Sequence, residues 1–189
     1  MTVKTTKPKC VLLDANIVIK AYELGIWQML VQRCELILPS IVVHDEALFF
    51  RREIHGVPEE IDLRVLIEDG KITELSATVE ELASLRTVFD RVFIEMLDLG
   101  EVEALALLKA GKALGASFCT GDAPAIQALA MIGMSARGIS MERLLESIGL
   151  TKRLKKQFTK RFFKENLRLG QQNRITGQGL AKSGLLEQL

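Results

Sequence analysis

Along the first 150 residues, short apolar runs of strand length alternate with longer stretches of helical periodicity. Residues 10–13 (CVLL), 35–38 (ELIL) and 116–119 (ASFC) are unbroken or nearly unbroken runs that predict buried strands. The alternation in 71–75 (KITEL) and the segment 134–139 after Gly133 predict two more. Between them the helical patterns are 17–30, with Asn16 as its cap and Gly25 as an end or kink; 41–52, capped by Ser40; 59–68; and a helix from Ser76 or Thr78 toward Leu97, punctuated by Gly100. The pattern resumes in 101–114, 123–131 and 141–147, the last capped by Ser140. Strands separated by helices imply a mostly parallel sheet covered on both faces, an α/β fold.

After Leu150 the pattern changes. TKRLKKQFTKRFFKENLRLG predicts a basic amphipathic helix with Leu154, Phe158, Phe162 and Leu169 near one face, followed by a Gly- and Gln-rich stretch, 171–189, expected to be loosely ordered. Two parts are therefore expected: a domain over 1–150 and a basic extension over 151–189. Charge sharpens the division. The chain carries a formal +1, but the extension holds ten Lys/Arg against Glu165 and Glu187, a net of +8, which leaves −7 on the first 150 residues. Such a split suits either contact with a polyanion or a helix packed on the domain with its charges in water. The first reading assigns phosphate contact to Lys152, Arg153, Lys155 and Lys156, with Lys160, Arg161 and Lys164 continuing the positive face.

The length of 189 residues, with 48% hydrophobic and 26% charged, supports one well-buried core. Cys10, Cys34 and Cys119 are odd in number and lie in apolar surroundings, which suggests buried free thiols and a reducing compartment. The basic start, MTVKTTKPK, precedes an apolar run that stops at Asp14, too soon for a signal peptide, and no stretch approaches a membrane span. A cytoplasmic protein is expected.

The acids at strand ends carry the candidate chemistry. Asp14 and Asp122 each follow a buried strand, and in a parallel sheet those ends share one edge, where open α/β sheets hold ligands. Each could simply be a helix cap; two carboxylates placed together imply a cation between them. Glu46 falls early in the pattern that starts as the second strand ends, beside His44 and Asp45, and His44 alone makes no metal spacing. Glu101 shares a helix face with Leu105 and Leu108, pointing inward, with Asp98 and Glu103 as rivals.

With Asp14 in LLDANIVI, Glu46 in LPSIVVHDEA, Glu101 in LDLGEVEALAL and Asp122 in TGDAPAIQALAMIGM, residues 10–150 resemble the PIN-domain ribonucleases, most nearly those of toxin-antitoxin type. The resemblance implies a three-layer α/β/α sandwich around a mostly parallel sheet of about five strands, with Asp14, Glu46, Glu101 and Asp122 as catalytic ligands of Mg²⁺ or Mn²⁺ at its C-terminal edge. It also implies hydrolysis of RNA phosphodiesters, a small antitoxin partner and a homodimer, with Thr120 and Asn16 holding ligands or water in place. An all-oxygen donor set suits those hard cations, and no Cys/His cluster favours zinc. The extension lies outside the resemblance. A non-catalytic PIN-like module that binds RNA or protein is the alternative, while a haloacid-dehalogenase phosphatase would need Asp at position 16, where this chain has Asn.

Overall fold

The computed structural model describes residues 9–52 and 56–182, so the basic start 1–8 and the end 183–189 lie outside the described residues. Five strands form one sheet: β1 (Lys9–Leu13), β2 (Cys34–Pro39), β5 (Ile72–Leu75), β6 (Ser117–Cys119) and β7 (Gly138–Ile139). Their order is β5-β2-β1-β6-β7 and every pairing is parallel. A separate antiparallel pair joins β3 (Phe49–Phe50) to β4 (Glu59–Glu60).

β1 lies in the middle, and its alternation divides the core in two. Val11 and Leu13 face one apolar cluster, with α1 (Ala15–Glu23), α2 (Trp27–Arg33) and α8 (Met141–Ser147). Leu12 faces the other, built from α4 (Val79–Arg86), α5 (Arg91–Ile94), α6 (Leu99–Lys109) and α7 (Ala123–Met131). Helices on both faces of a parallel sheet make the expected three-layer α/β/α sandwich. No helix among the described residues is long and apolar enough to cross a membrane.

Several elements differ from the sequence pattern. The stretch after Ser40 holds only one wide turn of π type, Val42–Glu46, because the chain then enters β3. Residues 59–68 divide into β4 and the short α3 (Arg64–Glu68). The long helix expected toward Leu97 is two helices, each started by its own cap: Thr78 accepts the Glu81 amide for α4, and Asp90 accepts the Phe93 amide for α5. In 134–139 a 3-10 turn over Ser135–Arg137 leaves only two residues of strand.

The extension is folded onto the domain. Its helix, α9 (Lys160–Thr176), begins after the cap Thr159 and not at Thr151, since 151–155 are irregular and Lys156–Phe158 form a 3-10 turn; it ends at Gly177, whose φ of 76° stops the helix, so 171–176 are helical and not loose. The buried face is Phe158, Phe163, Asn166 and Gly170, whereas Leu169 is exposed and Phe162 half-buried. α9 lies along α7: Gln127 donates to Asn166 Oδ1 at 2.9 Å, and a Cβ on Gly170 would stand 2.7 Å from Gln127 Cα.

Candidate functional site

The chain leaves β1 at Asp14, whose amide makes a last bond across to the Cys119 carbonyl of β6 at 3.1 Å. Asp14 occupies the cap position of α1, but its carboxylate does not cap. Instead Thr120 Oγ1 donates to Asp14 Oδ2 at 2.7 Å, and the same oxygen accepts the Asp122 amide at 3.0 Å. One hydroxyl thus ties together the two strand ends that carry the acids. Asn16 is not the helix cap either. Its Oδ1 accepts the Gly121 amide at 3.2 Å and fastens the same loop from the other side. Asp122 does cap α7, through Oδ1 and the Ala125 amide.

Glu46 closes the π-type turn after β2 and reaches the start of α6, where the Gly100 amide donates to Oε1 at 2.9 Å. Gly100 falls inside that helix, not at a break. A Cβ there would lie 2.9 Å from both Glu46 Cδ and Val42 Cγ2, so the close approach requires glycine. Glu101, next in the chain, is 2% exposed, and its Oε2 accepts the Asp98 amide at 3.0 Å, the reach-back half of a capping box.

The two rivals of Glu101 are placed differently. Glu103 is 3% exposed, but it accepts the amides of Ile41 at 2.8 Å and Ala77 at 3.0 Å, joining the ends of β2 and β5. Asp98 is exposed at the start of α6, near enough to raise the pKa of Glu46, Glu101 and Asp122. His44 is exposed and bonded to Glu74 at 2.9 Å, which leaves it out of the group.

The electrostatics show what the cluster lacks. Burial pushes the Asp14 carboxyl up to about 7, with Glu46 and Asp122 adding to the rise and the Thr120 hydroxyl opposing it. Burial, then Asp14 and Asp122, push Glu101 up to about 9. Glu46 and Asp122 are also raised, by burial first, against the Gly100 and Ala125 amides. None of the four takes part in an ion pair among the described residues. Mutually repelling, partly desolvated carboxyls with oxygen donors only are what a hard divalent cation stabilises. Among the described residues no three acidic, His or Cys side chains stand in a ready ligating group, and one oxygen each of Glu46 and Glu101 is turned to a backbone amide. The donor chemistry fits such a cation, and ligation by all four would require Glu46 and Glu101 to rotate.

Lys152, Arg153, Lys155 and Lys156 are exposed and, among the described residues, in no ion pair, whereas Lys160 is paired with Glu146 and Arg161 with Glu165. Sequence reasoning missed how close this segment comes to the acids. Phe158, 4% exposed, lies against Gly121, between Thr120 and Asp122. The signal was the aromatic residue within a basic stretch; its contact depends on the fold. Compared with known proteins, the chain matches no family model, no curated protein and no solved structure.

Proposed function

We propose that this protein is a metal-dependent endoribonuclease of the PIN-domain type, acting as the toxin of a toxin-antitoxin pair. The observation that carries the reading is the linkage of Asp14 and Asp122 through Thr120 at the ends of β1 and β6, with Glu101 and Glu46 near enough to raise or be raised by Asp14, and none of the four with a cationic partner among the described residues. A bound Mg²⁺ or Mn²⁺ would supply an acidified water and stabilise charge on the phosphoryl oxygens.

The chain's own residues do the rest. Thr120 holds Asp14 and the Asp122 loop at one spacing, while the Gly100 and Asp98 amides hold Glu46 and Glu101 beside that edge, from which they would rotate to ligate. Lys152, Arg153, Lys155 and Lys156 bind the RNA backbone, where each phosphate neutralised releases counterions. The toxin role, a small antitoxin partner and a homodimer follow from the resemblance in sequence. Cleavage of single-stranded RNA in Mn²⁺ by the wild type, lost in Asp14→Asn, is the expected result; equal residual cleavage by both would falsify the enzyme reading.

A non-catalytic module that binds RNA or protein is the second reading, and the turning of Glu46 and Glu101 to backbone amides favours it. It predicts RNA binding that Mn²⁺ leaves unaltered.

A further inference from the structure

The acid edge and the basic segment meet at one point, where Phe158 covers Gly121. A Cβ on Gly121 would stand 2.7 Å from Phe158 Cε1, 2.8 Å from Cδ1 and 3.5 Å from Gln157 Cγ. Gly121 has no positive φ, so what keeps a side chain off this position is the ring and not the backbone conformation. The ring also has Lys20 over it, with Nζ 6.0 Å from its centroid. Gly121 also donates to Asn16 and lies between Thr120, whose Oγ1 donates to Asp14, and Asp122, whose amide donates to that same Oγ1. Phe158 therefore packs directly on the loop that sets Asp122 against Asp14.

The same turn presents the cations. The Lys155 carbonyl accepts the Phe158 amide at 3.0 Å, and the Lys156 carbonyl accepts the Thr159 amide at 3.1 Å and the Thr159 hydroxyl at 2.7 Å. Beyond it, Lys160 is fastened through its amide to Glu142 and through its ammonium to Glu146. Lys155 and Lys156 thus project from an anchored turn, three and two residues from a ring that touches the acid loop.

Building on the ribonuclease reading, we infer that Phe158 is a positioning residue: through Gly121 it keeps the acid loop in register with Lys155 and Lys156, so that single-stranded RNA bound by its phosphates on that turn is presented to the acid edge. The expectation is a division of labour. Phe158 governs the reacting geometry, where a misplacement of about 1 Å can cost about 100-fold. The two lysines govern affinity.

The test uses the full chain and a fluorescent single-stranded RNA, with binding measured in EDTA, cleavage in Mn²⁺ and Mn²⁺ affinity by calorimetry. Lys155→Ala/Lys156→Ala is expected to raise Kd and KM about tenfold and to reduce the slope of log Kd against log salt by about 1.4, as for two single-strand phosphate contacts. Phe158→Ala is expected to keep the salt slope, to lower kcat about 100-fold and to weaken Mn²⁺ binding, with Phe158→Leu recovering most of both. Gly121→Ala should resemble Phe158→Ala and improve when combined with Phe158→Leu, which makes room for the methyl. Wild-type kcat and Mn²⁺ affinity in Phe158→Ala overturn the positioning role, as do equal losses in Phe158→Ala and Phe158→Leu. Unchanged RNA affinity in the double-lysine variant overturns the presentation of RNA. If the lysines bind RNA and Phe158→Ala loses Mn²⁺ but no protein cleaves RNA, the ribonuclease reading fails and the register inference stands.

Discussion

Glu101 and Glu103 are both buried on α6, yet truncating them should have opposite consequences. Glu103 accepts two backbone amides, Ile41 and Ala77, that join the ends of β2 and β5. Hydrogen bonds to a charged group contribute about 1.5–3 kcal/mol each, and their loss leaves the donors short of a partner. Glu103→Ala should therefore cost about 3–5 kcal/mol, after some relief from removing a buried charge. Glu101 accepts one amide, that of Asp98, at a helix start where water can replace it. Pushed up to about 9, its carboxyl is held protonated at pH 7, so its removal leaves no buried charge without a partner. Glu101→Ala should cost about 1 kcal/mol or less. Urea unfolding of the metal-free protein at pH 7 measures both. For activity the order reverses: Glu101→Gln should abolish Mn²⁺-dependent RNA cleavage, while Glu103→Gln, which keeps one acceptor, should retain most of it. A Glu103→Ala protein as stable as wild type would refute the structural half of the reasoning. Loss of the Mn²⁺ response in Glu103→Gln but not in Glu101→Gln would refute the functional half.

Asp14 and Glu101 have folded-state values of about 7 and about 9, above ordinary carboxyls, so the folded chain holds protons that the unfolded chain releases. Stability of the metal-free protein should fall as pH rises from 5 through about 7 and on toward 9, and Mn²⁺ should flatten the trend; a melting temperature that is level or rising across that range without metal contradicts the electrostatic account. Gly170→Ala would gain about 1 kcal/mol in helix propensity, but its Cβ would meet the Gln127 backbone and Ala130, a steric cost of about 1–3 kcal/mol or more. Net destabilisation in thermal unfolding is expected, and a more stable variant would mean that α9 does not lie on α7 as described.

What was legible in the sequence had a local cause. α7 and α8 match their expected limits because a strand end, a capping acid or hydroxyl and an apolar period coincide at Asp122 and Ser140. The stretch after Ser40 was not legible, since Val42, Val43 and Glu46 fit a helical period while Phe49 and Phe50 are taken by pairing with Glu60 and Glu59. The choice between Glu101 and Glu103 lay beyond any periodicity, because α6 is buried on all sides from Gly100 to Leu108. Partners distant in sequence set the two apart: Ile41 and Ala77 beside Glu103, Asp14 and Asp122 beside Glu101. That neither the Asp14 nor the Asn16 side chain caps α1 has the same origin, for Thr120 and Gly121 claim them from more than a hundred residues away.

The central place of β1 has a consequence for synthesis. It is the first strand of the sheet to leave the ribosome, and β2 can pair with it soon afterwards, but its other neighbour, β6, follows about 80 residues after β2 ends. At about 5–20 residues per second, the second edge of Val11–Leu13 stays open for roughly 4–16 s. An apolar edge left open invites pairing with other chains, so this interval is when a nascent chain is most prone to aggregate. The same delay leaves the acid edge unassembled in an unfinished chain: Asp14 has neither Thr120 nor Asp122 beside it until β6 docks.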